Sequence, residues 1–451
     1  MAKKKQIELT IEEKLQNALV PKEEQPYKIP SNWCWTYIHN IAIVVTGKTP
    51  SKKNKEYYGG KFPFFKPADL DAGRNMQYAT EYLSEKGKSI SVIIPEKSTG
   101  ICCIGTIGKC GYFLVEGTTN QQINTVISKI NPLYSYYFFN TNSFVRELIS
   151  KASATTIAIV NKSKLESCLF SVAPLNEQQR IVNRIESLFA KLDRAKELIE
   201  NTLAQFEENK MAILHKAFTG ELTVKWRKKN NIDLSSWKKY ELKEVFKVVK
   251  DKYNPQIENQ IVNYIGLENI ETSKGIINKN NSSEVKSIKT KFKKDDVLYG
   301  KLRPYLNKHD VVNFDGICST DILVFRFDNI NTAKYINYYF NLPMFIQYAV
   351  ENSSGINLPR VSEKTISKYK ISLPIIEEQQ EIVNILDKLL AKYNKIKNLE
   401  QQLEKIELLK KAILAKAFRG ELGTNNPDEE SAENLLKEIL AEERKNNDLY
   451  K

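Results

Sequence analysis

The stretch MAILHKAFTGEL at residues 211–222 returns as KAILAKAFRGEL at 411–422, with nine of the twelve positions identical at an offset of 200. Self-similarity at a long period marks a duplicated structural unit. Upstream, Glu177-Gln178-Gln179-Arg180-Ile181-Val182-Asn183 recurs as Glu378-Gln379-Gln380-Glu381-Ile382-Val383-Asn384 at an offset of 201, so one residue is lost between the two anchors. A unit of about forty-odd residues therefore occurs twice. Ser31-Asn32-Trp33 and Ser235-Ser236-Trp237 form a fainter pair, each opening a long mixed segment.

Both repeats read as helices. Ile181, Ile185, Leu188, Leu192, Ala195 and Ile199 alternate spacings of four and three, the seam of a coiled coil. Ile382, Leu386, Leu389, Tyr393 and Ile396 keep the rhythm, which slips by one before Leu399 and resumes at Leu403 and Ile406. Pro174 and Pro374 precede the helices, Asn176 with Gln179 suggests a capping box, and Gly220 and Gly420 stand where a left-handed cap is wanted. Each helix then spans about 42 residues, or roughly 63 Å. Only about a dozen residues separate the first helix from Trp237, too few to bring the chain back along it. The second mixed segment belongs at the far end of helix one, and helix two returns antiparallel to it.

Length bounds the rest. At 451 residues the chain exceeds one hydrophobic core, and its 41% apolar content with 22 Tyr and 19 Phe excludes general disorder. No apolar run approaches the ~20 residues needed to cross a bilayer. The basic start Met1-Ala2-Lys3-Lys4-Lys5 is followed by Glu12, Glu13 and Lys14 rather than the apolar core of a secretion signal. The six cysteines form no CxxC pair, which fits reduced thiols in a cytoplasm. The mixed segments 29–173 and 233–373 carry strand-like pieces, such as Ile41 to Val45, Gly100 to Ile107 and Asp321 to Phe327. Short helices are expected around Tyr134–Leu148 and Thr332–Val350. Each segment is expected to be an α+β domain of about 140 residues. Thr10 with Glu13 caps a short N-terminal helix ending at Pro21, and Ser431 precedes another; fraying tails are the alternative for both.

Catalytic motifs dissolve on inspection. Ala42 to Thr49 fits a relaxed phosphate-loop pattern, but four apolar residues fill the loop and Pro50 follows where a helix must open. In Gly105-Thr106-Ile107-Gly108-Lys109 the position of the first glycine is taken by Cys103, so a turn is expected. His39, His215 and His309 lack ligand spacing or a nucleophile. Asp69 and Asp71 have no following Glu-x-Lys, and no Asn/Asp-Pro-Pro-aromatic signature occurs. No catalytic residue, metal or cofactor is expected.

A net charge of +14 and a pI near 9.1 favour a polyanionic partner such as nucleic acid or an acidic membrane surface, although for any single lysine a solvated surface is the better explanation. Two differing heads on a spacer suit the reading of two separated blocks of duplex DNA. Lys52, Lys53 and Lys55, or Lys286, Lys289, Lys291, Lys293 and Lys294, would meet phosphates. Among only 11 arginines, Arg303 and Arg360 stand beside prolines in turn-like contexts. Either could read a guanine edge or close a loop salt bridge.

These features resemble a known family. PYKIPSNW at 26–33, GKTPS at 47–51, PLNEQQRIV at 174–182, KAFTGEL at 216–222, GKLRPYL at 300–306 and the second Glu-Gln-Gln and Gly-Glu-Leu units are similar to the specificity subunit of type I restriction-modification enzymes. The resemblance spans nearly the whole chain. It implies an N-terminal helical extension (1–28), target recognition domains at 29–173 and, after a linker, within 223–373, spacer helices at 174–222 and 374–422 matching the family's central and distal conserved regions, and a helical tail (423–451). The implied fold is α+β, with two target recognition domains at opposite ends of an antiparallel two-helix coiled coil.

The implied function is a non-catalytic, cytoplasmic recognition subunit that reads a bipartite, asymmetric double-stranded DNA target. Its implied partners are two adenine-N6 methyltransferase subunits and the restriction subunits. The resemblance marks Gly47, Lys48, Thr49 and Ser51, with Lys52 and Lys53 beside them, and Asn120, Gln121 and Gln122 in the first head. In the second head it marks Lys301, Arg303, Ser319 and Arg360. Amide side chains suit adenine. A coiled-coil scaffold joining two protein-binding domains is the alternative, and a nucleotide-dependent enzyme built on Gly47-Lys48-Thr49 is a third reading.

Overall fold

A computed structural model describes residues 9–153, 158–258, 260–394 and 397–446. The chain forms two compact units, residues 1–198 with 402–451 and residues 199–401. The first long helix is Leu175–Phe218, and the second is described as Ile376–Asn394 and Lys397–Ala417. Ile396, beside the expected slip in the seam, lies outside the described residues, as do Met1 to Lys5. Gly220 and Gly420 have φ of +81° and +75°, the left-handed caps expected of glycine. The Asn176–Gln179 capping box does not form. The helix starts at Leu175, which puts Asn176 inside its first turn, and the Gln179 amide donates to Asn183 Oδ1 at 2.9 Å.

In the first unit the ion pairs Asp193–Lys410 (2.5 Å) and Lys196–Glu407 (3.5 Å) advance along one helix as they retreat along the other, so the segments run antiparallel. Ile181 and Ile185 are fully buried, whereas Leu188, Leu192, Ala195 and Ile199 are only half-buried.

Each unit holds a head built around the same antiparallel sheet. In the first, the strand order is Ala42–Thr46, Ile123–Ser128, Thr99–Cys102, Cys110–Tyr112. In the second it is Lys247–Val248, Ile322–Arg326, Val297–Gly300, His309–Val311. A further pair closes each head, Cys34–Tyr37 with Leu169–Val172 and Lys238–Glu241 with Lys370–Leu373. The expected strand from Gly100 to Ile107 stops at Cys102, because Gly105 (φ +81°) and Gly108 (φ +86°) turn the chain. The helical stretches each split in two: Pro132–Phe139 and Asn142–Ser150, where the Thr141 side chain caps the second helix, and Ile330–Tyr339 and Pro343–Glu351, where proline opens the second. The heads diverge in their remaining sheets, which among the described residues are one of three strands in the first unit and one of five strands with a separate two-stranded ribbon, Ile270–Glu271 with Gly275–Ile276, in the second.

The repeated motifs are the fastening of each unit. Glu177 and Gln178, like Glu378 and Gln379, are buried. Trp33 Nε1 donates to Glu177 at 2.8 Å, and Trp237 Nε1 donates to Glu378 at 2.9 Å. Thr424 and Thr223, just past the two Gly-Glu-Leu ends, donate to the same carboxylates at 3.3 and 2.6 Å. Gln178 and Gln379 donate to the carbonyls of Ala173 and Pro374. Phe418 packs on Tyr134 in a tilted arrangement and Phe218 edge-on against Tyr335, both with ring centroids 5.0 Å apart. The start of one long helix is thus bound to the end of the other inside each unit. The partners differ in charge. Asn425 completes the first set at 2.9 Å, while buried Arg227 pairs with Glu378 at 2.5 Å.

Among the described residues, the two terminal helices dock on each other. Thr10 and Glu13 form the expected capping box of Ile11–Ala18. This helix packs on the C-terminal helix Ala432–Asn446 through Ala18, Leu436 and Leu440, with Lys437 Nζ 2.6 Å from Glu12.

Candidate nucleic-acid interface

The same three segments meet at one end of the sheet in each head. In the second unit the strand Val297–Gly300 continues into Lys301, whose amide donates to Asp321 O at 2.9 Å. Lys301 O accepts from Val361 N at 3.0 Å, Leu302 pairs with Arg360, and Arg303 N donates to Pro359 O at 2.7 Å. Ser319 O accepts from Ile322 N, and Ser319 N donates to Ile265 O. Lys301, Arg303, Ser319 and Arg360, separated by up to 59 positions in sequence, therefore share one surface. Arg303 and Arg360 are exposed, while Lys301 and Ser319 are half-buried. Arg360 Nε donates to Asp321 Oδ1 at 3.3 Å, so the salt-bridge reading of this residue holds whatever else it does.

The first unit repeats the arrangement with other residues. Cys103 N donates to Gln122 O at 2.8 Å, Cys103 O accepts from Val160 N at 2.9 Å, Ile104 pairs with Ile159, and Gly105 N donates to Ala158 O at 3.4 Å. Register thus equates Cys103 with Lys301, Gly105 with Arg303, Asn120 with Ser319, Gln122 with Asp321 and Ile159 with Arg360.

The Gly47–Ser51 loop lies against this surface. Gly47 N donates to Ile123 O at 3.1 Å and Lys48 N to Thr119 O at 2.9 Å. A Cβ on Gly47 would stand 2.2 Å from Thr119 Oγ1 and 2.3 Å from Asn120 O, so only glycine permits this approach. Thr49 Oγ1 donates to Gln121 Oε1 at 2.5 Å. Asn120 is buried, accepting from Gln122 N at 3.1 Å and donating to Gln122 Oε1 at 2.9 Å. It braces the turn that presents Gln121, which is exposed. Lys48, Ser51, Lys52 and Lys53 are exposed on the same loop. The nucleotide-binding alternative fails here, because the Gly47 and Lys48 amides are committed to backbone carbonyls and only a three-residue 3-10 turn, Lys55–Tyr57, follows Ser51 where a phosphate-binding α-helix has to open.

The second lysine cluster is mixed in character. Lys291 pairs with Glu258 at 2.6 Å, and Lys289 lies 6.0 Å from the Tyr264 ring centre, whereas Lys286, Lys293 and Lys294 are exposed. His309 is buried behind the Arg303 loop: its Nδ1 lies 2.7 Å from Asn337 Oδ1, and Asn307 Nδ2 lies 3.1 Å from its Nε2. Burial holds its pKa down at about 4. The other two histidines are exposed, His39 stacked on Tyr37 and His215 on the first long helix. Asp321 and His309 escaped sequence reading as parts of the site. Aligning the heads strand by strand would have singled out Asp321, which occupies in the second head the position that Gln122 holds in the first. No helix among the described residues is long and apolar enough to cross a membrane.

Comparison with known proteins agrees with this architecture. The chain is 25% identical over 450 residues to the type I restriction enzyme EcoDI specificity subunit of Escherichia coli, covering 92% of this chain and 96% of that protein. It is 26% identical over 459 residues to the EcoKI specificity subunit of Escherichia coli K12, with the same coverage. Against the MjaIX specificity subunit of Methanocaldococcus jannaschii the identity is 25%, over 89% of this chain and 96% of the relative. The fold matches a chain from a structure concerned with complex assembly and conformational transition of the type I R-M system. That match has a TM-score of 0.67 and 17% identity, and covers 88% of this chain and all of the other. The HsdS subunit of Thermoanaerobacter tengcongensis matches with a TM-score of 0.54 and 18% identity, over 88% and 99%. The type I restriction modification DNA specificity domain matches twice, at residues 30–205 and 235–408, most of the chain, and the protein belongs to that family.

Proposed function

We propose that the chain is the DNA-reading subunit of a type I restriction-modification complex. Each head recognises one block of a bipartite, asymmetric duplex target, with recognition domains at 29–173 and within 223–373. The observation that carries this reading is the equivalence of the two loop clusters, alike in backbone bonding and different in side chains. Equal frames fit equal tasks, and unequal tips fit unequal sequences. Gly47, Lys48, Thr49, Ser51, Lys52, Lys53 and the Asn120–Gln122 turn serve one block; Lys301, Arg303, Ser319 and Arg360 serve the other. Asn120 acts by bracing Gln121.

The chain itself carries no reaction. It brings two methyltransferase subunits and the restriction subunits to DNA in the cytoplasm. The scaffold alternative accounts for the helices but gives no role to exposed arginines and amides gathered at equivalent loop tips.

The test is to express the chain with its methyltransferase in a host free of adenine methylation and sequence the methylome. Methylation at two blocks of different sequence, separated by a fixed gap, is the expected outcome. A contiguous or palindromic motif, or no methylation together with no salt-sensitive duplex binding, would reject this function.

A further inference from the structure

Arg303 has φ +52° and ψ +64°, a left-handed conformation that costs an ordinary residue on the order of 1 kcal/mol or more. At the equivalent turn of the first unit stands Gly105, which adopts φ +81° without that cost. The fold thus accepts glycine at this turn, yet the second unit holds a long cationic side chain there, exposed beside Arg360 on the pairing segment. Arg360 in turn replaces Ile159. Asp321, in the place of Gln122, grips Arg360 through Nε, which is not one of the terminal amino groups a guanine O6 and N7 would take. Backbone bonding holds the two arginine-bearing segments side by side, and adjacent bases on a strand are about 3.4 Å apart.

Resting on the reading of the chain as a two-block DNA reader, we propose that the second unit reads guanine with Arg303 and Arg360. Asp321 is the positioning residue for Arg360. The first unit, with Gly105 and Ile159 at these places, reads its block by another route. Lysine would not substitute at either position, because it lacks the planar two-pronged edge that guanine accepts.

The test uses the full chain with its methyltransferase subunits. A target is first selected from a random duplex pool, and binding is then measured for every single base-pair change in it. In the wild type, changing one of two G·C pairs in one block should weaken binding on the order of tenfold to a hundredfold. Arg303→Gly, which suits the left-handed backbone, should abolish discrimination at one of these pairs, and Arg360→Gln at the other. Penalties in the other block, read by the first unit, should be unchanged. Asp321→Ala should lose discrimination at the Arg360 pair only, and Asp321→Asn, which keeps an acceptor for Nε, should recover part of it. A residue that merely held the loop together would lower affinity at every position alike. Should Arg303→Gly fail to fold, Arg303→Lys keeps the charge and should show the same loss. Undiminished G·C penalties in these variants, or losses spread evenly over both blocks, would overturn the proposal while leaving the two-block reading standing. Failure of the wild type to select any two-block target would remove that reading, and this proposal with it.

Discussion

Trp33 Nε1 lies 2.8 Å from the buried carboxylate of Glu177, and Trp237 Nε1 lies 2.9 Å from that of Glu378, so one indole–carboxylate bond fastens each unit. The surroundings differ. Glu378 also neutralises the buried guanidinium of Arg227, whereas Glu177 is completed by the uncharged Thr424 and Asn425.

Glu378→Ala should therefore cost more than Glu177→Ala. The first strands a buried cation, at about 3–5 kcal/mol; the second leaves buried donors unsatisfied, at about 1–3 kcal/mol. Urea unfolding followed by tryptophan fluorescence separates them. Equal losses would show that Arg227 finds another anion.

Acid should weaken the second unit through His309. Its pKa is about 4 in the folded chain against 6.5 as the ordinary value, so the unfolded chain binds the extra proton first. The stabilisation is complete above 6.5 and drains away as pH falls toward 4. Between pH 7 and 5 the loss should be about 2 kcal/mol. Denaturant midpoints for wild type and His309→Gln over this range decide it, since the variant should show a flatter slope.

Gly47→Ala should drive a methyl into Thr119 and Asn120 and displace the turn that carries Gln121. Overpacking of this kind costs about 1–3 kcal/mol. In binding assays, the penalties for base changes should fall in one block and persist in the other. Intact discrimination in both would separate this loop from recognition.

Lys52→Ala and Lys53→Ala act on charge rather than on base identity. Each should weaken binding to all duplex sequences alike and reduce the slope of log K against log salt by about one. Titrations at several salt concentrations provide the slope. A change in preferred sequence instead would place these lysines at base edges.

The long helices were legible because a duplicated 3-4 spacing needs no tertiary knowledge, and the glycine caps follow from local backbone chemistry. The loop clusters were legible only as separate pieces. Gly47 meets Thr119, and Lys301 meets Asp321 and Val361, through sheet pairing between residues far apart in the chain, which hydrophobic period does not encode. Asn120 was singled out for its amide chemistry, but burial turns that amide inward. The Glu-Gln-Gln repeat was visible as a repeat, while its role depends on Trp33 and Trp237, 144 and 141 positions away.

The composition of the units sets an order of events during synthesis. Residues 199–401 are contiguous, so the second unit has all its parts once they have left the ribosome. The first unit does not. Its core includes Leu414, Phe418 and Leu436, and Glu177 waits for Thr424 and Asn425. The amino-terminal head, made first, is completed last, reversing the usual sequence in which domains fold as they emerge. During that interval Tyr134 and Phe138 lack Phe418, the ring that later packs on both, and a ribosome stalled before residue 414 would leave the chain with one finished unit and one exposed core.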